Sequence, residues 1–309
     1  MNDIFQIKSI SQLHQIIGWP PPSHPLVSFL DDTKRPQDLV LEEKFFDFRY
    51  TADMYTIMYK DSIQGSIGYG RNSYDFQEGT LIFMGPGQVF EAPSKEHIED
   101  LKNSKGWSLV FHPDLIRKSP LGENIDHYTF FSYEVNEALH LSEKEQNFIF
   151  EIVLQIQEEY AQNIDKHSQR LIISNLELFL NYCTRFYDRQ FYTRTNFNKD
   201  IISRFETKLK AYFNENKLVD LGIPSSSYFG KEMTMSSNYL SDLLKKETGK
   251  GIKEHVNDMI VDKAKTILLN SALSISEVAF DLGFEYPQSF TRLFKNKTGI
   301  SPVEYRKLN

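Results

Sequence analysis

Two stretches, Tyr239-Leu-Ser-Asp-Leu-Leu-Lys-Lys-Glu-Thr-Gly249 and Ser289-Phe-Thr-Arg-Leu-Phe-Lys-Asn-Lys-Thr-Gly299, superpose at an offset of fifty residues. Leu243/Leu293, Lys245/Lys295, Thr248/Thr298 and Gly249/Gly299 are identical, and Glu254/Glu304 extends the match. Just upstream, Ser227/Ser276, Phe229/Val278, Gly230/Ala279 and Met233/Leu282 align at an offset of forty-nine. The two copies therefore differ by one residue of turn length. Such self-similarity marks a structural unit built twice.

Each copy carries helix-turn-helix chemistry. In the second, Ser274 and Glu277 form a capping box that satisfies the first free backbone donors of a helix. Ile275, Val278, Ala279 and Leu282 give that helix its buried face. Gly283 stands where the helix must end in a left-handed conformation, which glycine adopts without strain. Phe284 fills the turn. The following helix buries Phe290, Leu293 and Phe294 and exposes Gln288, Ser289, Arg292 and Lys295. The small residues Gly230 and Ala279 occupy the equivalent place in the two copies, where paired helices cross closely. Ser301-Pro302-Val303-Glu304 starts a last helix with proline in its first turn.

Between the copies, residues Ile252 to Asn270 read as one helix, with Val256, Ile260, Ala264, Ile267 and Leu268 on a shared face. Its nineteen residues span ~28 Å at ~1.5 Å each. That approaches the ~34 Å turn of B-DNA, so two recognition helices can enter successive major grooves on one face of the duplex. A single helix-turn-helix pattern is weak evidence; a duplicated one on a linker of this length is strong.

The charge distribution agrees. Residues 199–309 carry 17 Lys/Arg against 14 Asp/Glu, whereas residues 1–198 carry 18 against 28, within a net charge of −7. The C-terminal part is the one suited to a polyanion. The single cysteine, Cys183, rules out an internal disulfide framework and a cysteine-rich zinc site, and its place on an apolar helical stripe predicts a buried thiol. Met1–Gln12 has no apolar core of an export signal, and no run approaches the ~18 apolar residues of a membrane span. A cytoplasmic location without membrane association is the expectation.

From about Pro25 to Phe111 the pattern favours strands. Phe45-Phe-Asp-Phe-Arg-Tyr50 and Tyr55-Thr-Ile-Met-Tyr59 are aromatic and β-branched, and turns are marked by Gly65, Gly68, Gly70, Gly79, Gly85-Pro86-Gly87 and Pro93. Short strands so punctuated predict a barrel or sandwich. At Leu141 the pattern changes. A capping box at Ser142/Glu145 opens a helix with Phe148, Ile149, Ile152, Val153, Ile156 and Tyr160 at helical spacing. Asn163-Ile-Asp165 breaks it, and a second helix follows with Ile172, Leu176, Phe179, Cys183 and Phe186 on one stripe. Two readings of these stripes stand: packing within the chain, or a homodimer seam. Asp188 to Lys199 reads as a polar linker.

The C-terminal part resembles the AraC family of transcription regulators. The resemblance covers Phe205–Arg306 and is most specific at Ile275-Ser-Glu-Val-Ala-Phe-Asp-Leu-Gly-Phe284, Ser289-Phe-Thr-Arg-Leu-Phe-Lys295 and Thr298-Gly-Ile-Ser-Pro-Val-Glu-Tyr-Arg306. A looser likeness, at Gly79-Thr-Leu-Ile-Phe-Met-Gly-Pro-Gly87 and in domain order, extends it to the N-terminal part. The resemblance implies an α+β multidomain chain: a cupin-like jelly-roll sensor domain over 1–140, a helical hairpin connector over 141–198, and an all-α double helix-turn-helix domain over 199–309. It implies double-stranded DNA as partner, RNA polymerase as a further one, action as an activator, and a small-molecule effector in the jelly roll. It also implies base-facing positions Asn238, Ser241, Asp242 and Lys245 in the first unit and Pro287, Gln288, Ser289 and Arg292 in the second. Residue chemistry supports part of that set. Arg292 can clamp guanine and Gln288 adenine through paired hydrogen bonds, while Lys245 and Lys295 suit phosphates. Pro287 has no donor and can offer only apolar packing to a thymine methyl.

Two rival readings come from other classes. A cupin-type enzyme fused to a DNA-binding domain needs a metal, yet His97, His112 and His127 stand apart with no His-x-His, and Phe90 occupies the slot of the second-motif histidine. No cofactor, metal or catalytic residue is therefore expected. A constitutive DNA binder without effector is the other rival. Phe46, Phe48, Tyr55, Tyr59, Tyr69 and Phe83 could line a pocket, but strand aromatics more often form core.

Overall fold

The computed structural model describes residues 4–36, 49–60, 79–91, 106–134, 137–161, 167–193, 195–215 and 217–307. The chain divides into two compact units, Met1–Gln190 and Phe191–Asn309. The helical pair expected as a connector has its body in the first of them.

In the first unit, the strand expected at Tyr55–Tyr59 is β4 (Tyr55–Lys60), the middle of a five-stranded antiparallel sheet. The order is β2 (Val27–Asp31), β7 (Gly106–Phe111), β4, β5 (Thr80–Met84) and β8 (Leu139–His140). All five residues of β5 are buried, as the apolar run Leu81–Met84 requires, with Thr80 the one polar member. A second sheet of three strands pairs β1 (Phe5–Ile7) in parallel with β3 (Arg49–Ala52), and β3 antiparallel with β6 (Val89–Glu91). Strand structure was expected only from about Pro25, and β1 corrects that. Three residues are too few to show a period, and Ile7 is held by burial with Ile10, Leu30, Met54 and Val110. Most of the expected Phe45–Tyr50 strand lies outside the described residues.

A helix hydrogen-bonds to each edge strand of the five-stranded sheet, which occupies part of its open pairing groups. Along β2, the Phe29 N–H donates to Tyr160 Oη at 2.9 Å from helix α4 (Glu143–Ala161), numbered after α1 (Ile10–Ile16), α2 (Pro113–Ile116) and α3 (Pro120–Asn124). Along β8, the His140 N–H donates to Gln190 Oε1 at 2.8 Å, and Gln190 Nε2 donates to the Ala138 carbonyl at 3.1 Å, from α5 (Ser168–Thr193). The Ser142/Glu145 capping box forms at the start of α4, with the Ser142 N–H on Glu145 Oε2 at 2.9 Å. Ile149, Ile152, Val153, Ile156, Ile172, Leu176, Phe179, Cys183 and Phe186 are all buried. Trp107 of β7 meets Phe179 edge-on at 6.3 Å, so the stripes pack within the chain. Burial pushes the Cys183 thiol well up in pKa. The break expected at Asn163–Asp165 lies outside the described residues.

The boundary between the two units falls inside the polar stretch Asp188–Lys199. The stretch is helical on both sides of it, through Thr193 in α5 and again from Thr195 in α6 (Thr195–Asn214). Its polar side chains make directed contacts: Gln190 with β8, and Asn198 Nδ2 with the Phe191 carbonyl at 2.6 Å and with Glu247 Oε1 at 2.7 Å. Composition reads such residues as solvated because it is blind to these partners.

The second unit is helical: α6, α7 (Lys217–Leu221), α8 (Ser226–Met233), α9 (Ser237–Thr248), α10 (Ile252–Asn270), α11 (Ile275–Asp281), α12 (Pro287–Thr298) and α13 (Pro302–Lys307). Phe205 of α6 closes the first repeat against Phe229 at 5.1 Å, and Tyr305 of α13 closes the second against Phe294 at 5.4 Å.

Candidate nucleic-acid interface

The duplication persists down to single hydrogen bonds. After α9 the Thr248 hydroxyl donates to the Leu244 carbonyl at 2.7 Å, and after α12 the Thr298 hydroxyl donates to the Phe294 carbonyl at 2.8 Å. Gly249 and Gly299 cap these helices at φ +76° and +83°. Glu254 and Glu304 then accept from the Gly251 and Ser301 N–H groups at 3.1 and 2.7 Å, opening the helices that follow. In the second repeat, the Ser274 N–H meets Glu277 Oε2 at 2.6 Å and the Glu277 N–H meets Ser274 Oγ at 3.2 Å. Hydrogen bonding from the Ser274 backbone N–H, and then from its hydroxyl, holds the Glu277 carboxyl below its ordinary pKa.

Where α8 and α9 cross, a Cβ on Gly230 would come within 2.9 Å of the Met235 carbonyl oxygen. The backbones meet there, which explains the small residue.

α9 and α12 stand where the sequence places the recognition helices. Each buries one face, Tyr239, Leu240, Leu243 and Leu244 in α9, Phe290 and Phe294 in α12. The opposite edge carries the expected site residues. Asn238 and Lys245 are exposed, and Ser241 and Asp242 are half-buried. On α12, Gln288, Arg292 and Lys295 are exposed, with Pro287 and Ser289 half-buried. Gln288, Arg292 and Lys295 fall at i, i+4 and i+7, one face of the helix. Ser241 is turned differently: a Cβ on Gly251 would lie 2.8 Å from its Oγ, so this hydroxyl faces the start of α10.

A shallow groove between α11 and α12 is lined by Ile275, Ser276, Pro287, Gln288, Thr291, Arg292, Lys295 and Asn296. Ser276, Thr291 and Asn296 were not singled out from sequence, although Asn296 stands four residues after Arg292 and Ser276 aligns with Ser227. The Thr291 hydroxyl is spent on the Pro287 carbonyl at 3.0 Å, leaving its methyl to the groove. A guanidinium, a carboxamide and an ammonium on one rim can donate to base edges and phosphates.

Of the histidines weighed as metal ligands, His112 caps α2 by accepting from the Asp114 N–H at 3.2 Å, and His97 lies outside the described residues. Phe90 packs on Tyr50 at 5.8 Å. Tyr55 stacks on Phe111 at 4.9 Å and Tyr59 on Trp107 at 5.6 Å, while Phe83 is buried against Phe130. Phe46, Phe48 and Tyr69 lie outside the described residues. No described helix is long and apolar enough to cross a membrane.

Two units of this geometry on one connecting helix make the second compact unit a tandem helix-turn-helix arrangement. The family described as a helix-turn-helix domain matches residues 229–308. The Msm operon regulatory protein of Streptococcus mutans is 32% identical over 102 residues, 32% of this chain and 37% of that protein. The HTH-type transcriptional regulator YijO of Escherichia coli K12 is 27% identical over 193 residues, 62% and 64% of the two chains. The HTH-type transcriptional activator RhaR of the same strain is 28% identical over 109 residues, 35% of each. The chain spans less than two thirds of the length of each of these relatives. Residues 229–308 are an AraC-type DNA-binding domain.

Proposed function

We propose that this chain is a sequence-specific transcription regulator that reads double-stranded DNA with α9 and α12. The observation that carries the reading is the pair of helices α9 and α12, each with an exposed polar edge and each the second helix of its repeat, joined through the 19-residue α10. Asn238, Asp242, Gln288, Ser289 and Arg292 face bases, with Pro287 against a thymine methyl. Lys245 and Lys295 hold phosphates, and Ser241 supports the turn. The protein acts in the cytoplasm as a regulator, not as an enzyme.

The two sheets of the first unit are the described part of a cupin-like jelly roll that takes a small-molecule effector. The protein then acts as an activator, the role printed in the name of RhaR, with RNA polymerase as the further partner. Leu171 and Leu178, exposed on α5 at 47% and 43%, stand one heptad apart, and Phe148 packs on the neighbouring Tyr182 at 4.3 Å. This apolar ridge supports a homodimer seam. The competing reading, a constitutive DNA binder, keeps the same domain and omits the effector.

The test uses residues 191–309 expressed alone, a cut that keeps Phe191 and Asn198 with the helices they contact. Gel shifts should show DNA retention that weakens steeply with salt as phosphate contacts release counterions. Folded protein that retains no DNA at low salt sinks the reading. Thermal melts of the whole chain with metabolite mixtures separate the two effector readings, since a ligand bound only to the folded state raises the midpoint.

A further inference from the structure

The two recognition units share one carboxylate. Asp258, in the second turn of α10, accepts from Lys250 Nζ at 2.7 Å through Oδ2 and from Lys297 Nζ at 2.8 Å through Oδ1. Lys250 follows the cap of the first recognition helix, and Lys297 lies in the last turn of the second. Partial burial pushes the Asp258 carboxyl up in pKa, but the hydrogen bonds and charges of the two ammonium groups outweigh it and hold it below its ordinary value. The bond to Asp258 likewise raises Lys250. The carboxylate is therefore ionised at neutral pH, and both bonds are charge-assisted.

The side chains are 51% (Lys250), 35% (Asp258) and 32% (Lys297) exposed. Exposed ion pairs add little stability, so a fold of this size does not depend on the triad. Its geometry is the informative part. One oxygen each is given to the C-terminal ends of α9 and α12, and Asp258 itself sits on the helix that joins the two units. Neither repeat has a second copy of this carboxylate: the residue fifty positions on from Asp258 is Leu308.

We propose that Asp258 is a positioning residue for DNA recognition, locking the two recognition helices in one mutual orientation and so fixing the spacing and phase of the two half-sites. The proposal rests on the DNA-reading function above. Within each half-site the bases are chosen by side chains on α9 and α12, and Asp258 leaves that choice untouched. What it controls is tolerance. With the tie in place, one inserted base pair turns a half-site by about 35° and carries it off the helix that reads it. Without it, each unit can follow its own half-site.

The experiment selects bound sites from a random duplex pool with the full chain, wild type and Asp258→Asn, and then measures affinity for the selected site with one base pair inserted between its halves. The wild type should return two motifs at one separation and lose about tenfold on insertion, as for a mismatched base pair. Asp258→Asn should return the same two motifs at several separations and lose about threefold or less. Asp258→Glu, which keeps the charge, should restore the wild-type spacing, and the Lys250→Gln/Lys297→Gln double variant should behave as Asp258→Asn does. Circular dichroism and the retained motifs show that each variant is folded. A paired wild-type motif whose insertion penalty is unchanged in Asp258→Asn overturns the positioning role alone. A wild-type selection that returns no paired motif overturns the DNA-reading function, and the positioning role with it.

Discussion

Thr234 and Gly283 occupy the same position in the two repeats, and both are left-handed, at φ 58° and 80°. Glycine takes this conformation freely, whereas a β-branched side chain there is strained. Thr234 is the only non-glycine residue with positive φ among the described residues. It ends α8 as Gly283 ends the turn after α11, since the recognition helix can leave in the right direction only from such a residue.

Opposite effects follow at these two positions. Thr234→Gly relieves about 1–2 kcal/mol of left-handed strain but loosens the unfolded chain, for a net gain of about 0.5–1 kcal/mol. Gly283→Ala does the reverse, and its Cβ would come within 2.9 Å of the Leu218 carbonyl oxygen and 3.0 Å of Gly222 backbone. Strain and overlap together should cost about 2–4 kcal/mol. Urea unfolding of the full chain measures both. A Thr234→Gly variant less stable than wild type contradicts the strain assigned to Thr234.

Most of the second unit was legible in the sequence, and the reason is local. Capping boxes at Ser274/Glu277 and Ser301/Glu304, the glycine at 283 and the apolar periods of α10 and α12 are decided within a few residues of themselves. Duplication then supplied a second reading of each feature. The first unit was harder. β4 and β5 showed their character through β-branched and aromatic runs, but β1 is three residues long and owes its form to a parallel partner far along the chain. The run from Asp188 to Lys199 does hold the boundary between the two units, but its helical form was not legible, because Gln190 and Asn198 look solvated until β8 and Glu247 are placed beside them. At the candidate interface, exposure followed from helical period. The turn of Ser241 toward Gly251 did not, since it depends on where α10 begins.

His255 makes stability depend on pH. Burial, reinforced by the nearby Lys250 charge, depresses its pKa below 6.5 in the folded chain, where the ring packs on Phe205 at 5.6 Å. The unfolded chain then takes up the proton first, so this stabilising contribution is complete above pH 6.5 and is lost as pH falls through the folded pKa. His24, depressed by burial in the other unit, acts in the same direction, so the informative quantity is a difference. Between about pH 7.5 and about pH 5.5 the urea midpoint should fall less in His255→Asn than in wild type. Equal falls refute the assignment.

Leu178→Glu tests the dimer seam. The side chain is 43% exposed, so the fold of one chain tolerates the charge, while an apolar seam does not. Light scattering should report dimers for the wild type and monomers for the variant at tens of micromolar, with unchanged helicity. A wild type that stays monomeric with and without DNA removes the seam.

Asp242 and Arg292 stand at aligned positions of the two recognition helices, so the units cannot read the same bases. Arg292 is exposed on the groove rim and can clamp a guanine, and Arg292→Ala should lose about 1–3 kcal/mol at one position of the site. Lys295→Ala should instead weaken binding evenly across sequences and lower the salt slope by about one. For Asp242 the physics differs. A carboxylate is repelled by phosphates, yet at a base edge it accepts from cytosine N4. Its contribution is then discrimination against wrong bases more than attraction. Asp242→Ala should bind random DNA somewhat more tightly and lose preference within one half-site only. The competing account is that Asp242, half-buried on α9, is engaged within the protein and never reaches a base. Site selection from a random pool with Asp242→Ala and Arg292→Ala side by side separates the two. A wild-type motif returned at every position by Asp242→Ala, while Arg292→Ala degrades its own, removes Asp242 from the reading set and leaves the second unit as the stricter reader.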